Sequence, residues 1–203
     1  MKGKRGYWVI DINSGKELNH VKQRPSLTTE RLQLRPFTLN DAPAVQRLAG
    51  DRDIASTTLQ IPHPYEDGMA EQWIATHQES YEKGESVLFA IVVRPDDTLI
   101  GAMGLRIHPQ HANAELGYWI GKSYWNRGYA TEAAHAVVAH GFDVLGLHRI
   151  YAHCFSRNPS SARILQKLGM RYEGCLRQHI AKWGEFKDME IYGLLAEEYG
   201  RQI

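Results

Sequence analysis

Little in this chain marks it for a specialised environment. Only two cysteines, Cys154 and Cys175, stand among its 203 residues. Neither their number nor their spacing makes a disulfide framework or a structural zinc site. Reduced thiols in a cytoplasmic protein are the simpler reading. No stretch approaches the roughly 20 apolar residues that span a bilayer. The opening MKGKRGYWVIDINSGKELNH is basic but holds no apolar h-region and no small-residue cleavage site. With 24 Lys and Arg against 23 Asp and Glu, the net charge is +1. No global field then draws in nucleic acid or a membrane surface. No internal repeat and no low-complexity linker divides the chain. The expectation is an N-terminal extension over 1–24, as a hairpin or an arm, and a single domain over 25–203. The chain is read as a monomer or homodimer.

Ten histidines raise the question of a metal. His108 and His111 share one expected hairpin. His135 and His140 are five apart on an expected helix, off the face that i and i+4 would share. No acidic or cysteine partner completes either set, so no metal is expected.

What the chain does contain is a sequence of clear elements. YWVIDI (7–12), RLQLRPF (31–37), SVLFAIVV (86–93), TLIGAMGLRI (98–107), NAELGYWIG (113–121) and HRIYAHCF (148–155) read as strands. Residues 170–196 read as two more, joined near Trp183-Gly184. Asn40 or Asp41 caps a helix through Leu48, with Pro43 tolerated in its first turn. Asp67 starts a second helix, whose inner face carries Ala70, Trp73, Ile74, His77 and Tyr81. NPSSARILQKLG is a short helix closed by Gly169. Helices first, then antiparallel strands, then alternating elements predict an α+β, mixed-sheet domain.

The stretch YWNRGYATEAAHAVVAHGFDVLG (124–146) joins a turn to a helix. Ala130, Ala133, Ala134, Val137, Val138, Gly141, Phe142 and Leu145 recur at steps of three and four and make one apolar stripe. A helix N-terminus offers unpaired N–H groups and about half a positive charge. A strand, a glycine-bearing turn and a helix therefore make a seat for an anion. Gly128 lets the backbone approach a ligand, and Ala130 is small. Neither the Rossmann nor the Walker pattern matches. The same residues also fit a tight connection into an ordinary core helix.

Four segments, LTTERLQLRPF with DAPAV, AELGYWIGKSYWNRGYATEAA, NPSSARILQKLGM and GEFKDMEIYGLL, occur in an order and spacing that resemble the GNAT acetyltransferases. The likeness runs from about residue 27 to 199 and is strongest to the branch related to ribosomal-protein N-terminal acetyltransferases. The family's Q/R-x-x-G-x-G/A pattern falls on residues 125–130, with Trp125 in the Gln/Arg slot. The resemblance implies a mostly antiparallel twisted sheet of about seven strands, with a splayed parallel pair and flanking helices. It implies acetyl-CoA as co-substrate. The diphosphate would sit on the amides of Arg127, Gly128, Tyr129, Ala130 and Thr131. Amides from Leu116 through Tyr118 to Trp119 would pair with pantetheine and polarise the thioester carbonyl. Asn158 would hold the pantetheine arm, and it is equally suited to cap its helix.

Acetyl transfer to an amine needs a neutral amine, an oriented thioester and a protonated leaving thiolate. Glu115, on the strand that meets the turn, is the first candidate for the base. A solvent-facing carboxylate fits that position as well. His179 and Tyr118 are secondary candidates. Many family members protonate the thiolate with a tyrosine on the short helix, a slot held here by Leu165. The ribosomal-protein-like branch can use a serine three residues after the asparagine, which is Ser161 here. Tyr65, Trp73, Trp119, Trp183 and Phe186 are candidates to line the acceptor pocket, though the same aromatics suit a core. Cys154 reads as a core residue, and neither cysteine sits in the setting of a nucleophile.

The reading is therefore an acetyl-CoA-dependent N-acetyltransferase that transfers directly to a primary amine. A protein N-terminal α-amine comes first among acceptors, and a polyamine, amino acid or aminoglycoside second. The rivals are a non-catalytic acyl-CoA-binding module and a binder of another nucleotide phosphate at the same helix end.

Overall fold

The computed structural model describes residues 22–200. The expected YWVIDI strand and most of the expected extension lie outside the described residues. Runs rich in Val, Ile and aromatic residues suit a pleated surface covered on both faces. They form β1 (Leu27–Thr28), β2 (Leu32–Arg35), β3 (Ser86–Val93), β4 (Thr98–His108), β5 (Asn113–Ile120), β6 (Arg149–Phe155), β7 (Arg171–Lys182) and β8 (Glu185–Leu195). The eight strands make one sheet in the order β1-β2-β3-β4-β5-β6-β8-β7. Every neighbouring pair is antiparallel except β5–β6, which is parallel. The strand beyond the expected seven is β1, whose two residues are too few to carry a pattern.

The helices are α1 (Ala42–Ala49), α2 (Arg52–Thr57), α3 (Met69–Ala75), α4 (His77–Glu82), α5 (Tyr129–Ala139), α6 (Pro159–Lys167) and α7 (Ala196–Tyr199). Side-chain alternation along the strands divides them between two faces. On one face Val87, Phe89, Ile91, Leu116 and Ile150 pack against Ala133, Ala134, Val137 and Val138 of α5 and Leu165 of α6. On the other, Ala90, Val92, Ala102 and Trp119 pack against Val45 of α1, Ile54 of α2 and Ile74 of α3.

Three local expectations are refined. The helix expected from Asp67 opens instead at Gly68, which adopts φ 83, and Thr76 separates α3 from α4. Asp67 turns its carboxylate to the Gln46 amide at 2.6 Å. Helix α2 was not foreseen, although Asp51 caps it by accepting from the Asp53 N–H. The chain enters α1 through a tight turn over Leu39–Asp41, and the Asp41 carboxylate faces away from that helix end.

Asp41 is 7% exposed. It accepts from both Arg35 Nη atoms at 2.9 Å and from the Thr38 N–H at 2.8 Å. Burial works to raise its pKa, but the Arg35 and Thr38 bonds outweigh burial and leave the carboxyl below its ordinary value. A depressed carboxyl adds stability above its unfolded pKa of about 3.9 and loses it as pH falls through the folded value. Asp41→Ala is therefore expected to cost about 2 kcal/mol at pH 7. In urea unfolding, the gap to the unsubstituted protein should close below about pH 4.

Candidate active site

β5 pairs with β4 along its whole length, and β6 does the same with β8. Between them β5 and β6 pair only at Asn113↔Arg149, Ala114↔Ile150 and Glu115↔Tyr151. Beyond Glu115 the two strands part, and a cleft of about 1290 Å³ opens. Strand geometry fixes what β5 offers to it. The Gly121 N–H donates to Ile100 O on β4 at 2.8 Å. Alternation then turns the main-chain groups of Trp119 and Gly117 toward β4 and those of Leu116, Tyr118 and Ile120 toward the cleft. Leu116 and Tyr118 thus turn their amides to the cleft, whereas the Trp119 amide belongs to the β4 ladder. The Ile120 carbonyl is taken by the Trp125 indole N–H at 2.6 Å. The departure from the family's Gln/Arg slot thereby acquires a local purpose: it closes the end of the splayed strand.

The turn between β5 and α5 has left-handed residues at Asn126 (φ 59) and Gly128 (φ 80). Gly128 is exposed. No side chain among the described residues caps α5. The Glu132 N–H returns to Gly128 O at 3.1 Å, which leaves the amides of Tyr129, Ala130 and Thr131 without intrahelical partners. Asn126, Gly128, Tyr129, Ala130 and Thr131 all line the cleft. Such a row of amides at a helix end is a seat for phosphate oxygens.

Arg31, which sequence reasoning missed, braces this turn from the start of β2. It donates to Arg127 O at 3.0 Å and through Nε to Glu132 at 2.7 Å, and it lies 4.8 Å from the centre of the Tyr129 ring. Glu132 also accepts from Thr29 Oγ1 at 2.6 Å and from the Arg31 N–H at 2.9 Å. Burial tends to raise the Glu132 pKa, but these bonds outweigh it and hold the carboxyl below its ordinary value.

On the α5/α6 face, Asn158 caps α6 by accepting from the Ser161 N–H at 3.1 Å. That commits its Oδ1 and leaves Nδ2 for a ligand. Ser161 Oγ and Tyr118 Oη are 2.7 Å apart. Burial pushes the Tyr118 pKa up to about 12, which removes it as a base near neutrality. Cys154, beside Ser161, is pushed up to about 11, chiefly by burial, and so remains a thiol. On the opposite face Glu115 meets His153 Nδ1 at 2.9 Å and Arg106 at 4.0 Å. The His153 hydrogen bond, working against burial, holds Glu115 below the ordinary carboxylate value.

Tyr65, Trp73 and Trp119 line the acceptor side. Trp183 and Phe186 do not: they are 48% and 68% exposed. Trp183 instead stands at the rim, its ring centre 6.1 Å from that of His63, with Arg52 5.6 Å from its ring. Arg127 is also outside the lining, its guanidinium 5.8 Å from the centre of the Tyr124 ring. His179 sits on β7 in a separate hollow with Cys175 and Asp188. The last turn of α2 and the residue after it are latched at the acceptor side: Arg157 donates to Ser56 O at 2.8 Å, and Lys182 donates to Thr58 O. No group of three or more His, Cys, Asp or Glu side chains converges as a metal site among the described residues. No described helix is long and apolar enough to cross a membrane.

The acetyltransferase (GNAT) domain family matches residues 31–171, more than half of the chain. The chain belongs to the GNAT acetyltransferases. The uncharacterized N-acetyltransferase YnaD of Bacillus subtilis (strain 168) is 33% identical over 174 residues, covering 85% of this chain and 98% of that protein. The ribosomal-protein-serine acetyltransferase of Escherichia coli (strain K12) is 28% identical over 125 residues, 61% of this chain and 66% of that protein. The crystal structure of a GNAT-family acetyltransferase from Bacillus anthracis superposes with a TM-score of 0.77 at 28% identity, covering 86% of this chain and 100% of that one. This GNAT enzyme is thus an acyltransferase, with relatives in the ribosomal-protein branch.

A Cβ at position 128 would meet Arg31 Nη2 at 3.3 Å, in a conformation that side chains rarely adopt. Gly128→Ala is expected to weaken coenzyme A binding about tenfold, equivalent to about 1.4 kcal/mol. Arg31→Ala should weaken it comparably while costing under about 1 kcal/mol of folding stability, since its ion pair is half exposed. Calorimetric titration with coenzyme A and urea unfolding check both.

Proposed function

We propose that this enzyme acetylates the α-amine of a peptide or protein N-terminus, taking the acetyl group directly from acetyl-CoA. The observation that carries this reading is the chemistry of the acceptor wall. Val45, Ala49, Ile54, Ile61, Tyr65 and Trp73 line it, and Glu85 and Glu115 are its acids. Glu115 already faces His153 and Arg106. A polyamine or aminoglycoside carries several cations and calls for several free carboxylates. A peptide N-terminus carries one ammonium on a largely apolar body. Gly117 adds room: a Cβ there would meet nothing within 4 Å. Relationship to the ribosomal-protein branch supports the same choice.

Acetyl-CoA fits the residues present. The amides of Gly128, Tyr129, Ala130 and Thr131 would take its diphosphate. The amides of Leu116 and Tyr118 would pair with its pantetheine arm, and Asn158 Nδ2 would hold that arm from across the cleft. When bound, it supplies an activated acetyl group. The exposed αL glycine and the unpaired helix amides favour a diphosphate ligand over an ordinary core connection. Near neutrality Tyr118 holds its proton, and its hydroxyl pairs with Ser161. In this reading Ser161 hands a proton toward the sulfur side of the cleft. No covalent enzyme intermediate is required, and Cys154, held as a thiol, is no nucleophile.

An acetyl-CoA-dependent screen over peptides, polyamines, amino acids and aminoglycosides, read by mass, tests the acceptor. Peptides with a free α-amine should be acetylated, and the same peptides with a blocked terminus should not, even when they contain lysine. A higher kcat/KM for spermidine would overturn the reading. Ser161→Ala is expected to lower kcat about 10–100-fold with coenzyme A affinity nearly unchanged, as measured by steady-state kinetics and calorimetry.

A further inference from the structure

The geometry points to His153 as the group that takes the proton from the acceptor amine, with Glu115 as the positioning residue behind it. The observation is a carboxylate–imidazole pair on the acceptor face at the point where β5 and β6 part. Glu115 and Tyr151 are in register across the parallel pair, and His153 lies two residues on, on the same face. Its Nδ1 stands 2.9 Å from Glu115 Oε1. An ionised carboxylate only accepts hydrogen bonds, so Nδ1 carries the hydrogen. In the neutral ring the lone pair is then on Nε2, and no hydrogen bond reaches Nε2 among the described residues. His153 lines the cleft with its side chain 28% exposed. A carboxylate that fixes the tautomer and steadies the charged ring is the logic of the Asp–His pair in hydrolases.

Glu115 itself is the poorer base. Its two oxygens face His153 and Arg106, and its proton affinity is reduced by the His153 bond. The groups around His153 are few. β5 contributes Glu115. β4 contributes Arg106 and His108, the latter with its Nε2 3.3 Å from Tyr151 Oη. β6 contributes Tyr151, whose ring centre is 5.5 Å from that of His153. β8 places Ile191 directly opposite.

The step balances simply. His153 Nε2 takes one proton from the ammonium form of the acceptor, giving imidazolium and a neutral amine. The nitrogen lone pair forms the bond to the acetyl carbon as the carbon–sulfur bond breaks. The amide nitrogen sheds one proton and the thiolate gains one, and the imidazolium returns its proton to solvent.

The inference rests on transfer to an amine. Its test uses whichever amine the screen above turns over, so a wrong peptide assignment would not conceal the result. His153→Gln should lower kcat about 100-fold, remove the acidic limb of the kcat/KM–pH profile and leave coenzyme A affinity unchanged. Added imidazole should restore part of the rate of His153→Ala. Glu115→Gln should cost less, about tenfold, and should leave the acidic limb in place. A second readout needs neither turnover nor a variant: nitrogen NMR of the neutral His153 ring in the free protein, which should show the hydrogen on Nδ1 and the lone pair on Nε2. The proposal is overturned if His153→Gln keeps the acidic limb while Glu115→Gln loses it. A neutral His153 ring that carries its hydrogen on Nε2 overturns it equally.

Discussion

The site exists because β5 and β6 stop pairing after Glu115↔Tyr151. Buried main-chain groups almost always find partners, so a sheet that opens at its centre must be secured on both sides. Here each parting strand keeps a full ladder on its far side, β5 with β4 and β6 with β8. The cost is then confined to one row of amides and carbonyls along each lip. Part of that cost is met within the protein: the Trp125 indole closes the Ile120 carbonyl. The amides of Leu116 and Tyr118 remain on the cleft side, open to a ligand with a strand-like hydrogen-bonding edge.

The opening also separates two kinds of proton chemistry. Leu116 and Tyr118 point to the face packed by α5 and α6, where Ser161 and Cys154 stand. Glu115 points to the opposite face, where His153 meets it. An acetyl group held in the gap would have its sulfur served from one side of the sheet and its incoming nitrogen from the other. A closed sheet could not do this, because its main chain would lie between the two groups.

How much of this the sequence carried depends on sequence distance. The strand runs 86–93 and 113–120, the turn at Gly128 and the cap at Asn158 are local patterns of hydrophobic period and turn chemistry, and they appeared where expected. The residues missed, Arg31, Glu132 and His153, are those whose partners lie far along the chain. Arg31 and Glu132 are 101 residues apart, and His153 and Glu115 are 38 apart. In HRIYAHCF the histidine is legible only as a residue on the less apolar face of a strand. Which partner it finds depends on the parallel register of β5 and β6, and no local signal states that register. Trp183 fails for the opposite reason: its loop was placed correctly, but the hairpin tip turns the ring outward onto Arg52.

The protonation states around the gap follow from the same burial. Burial holds Tyr118 at about 12 and Cys154 at about 11, while the His153 bond keeps Glu115 below its ordinary value. Each of these groups therefore keeps one charge state across the range in which an amine must give up its proton. A group that keeps one state cannot accept a proton there and release it again. With the phenol, the thiol and the carboxylate each held in one state, the cleft-lining His153 is proposed as the proton carrier on geometric grounds: its Nδ1 is committed to Glu115, and its Nε2 meets no hydrogen-bond partner among the described residues.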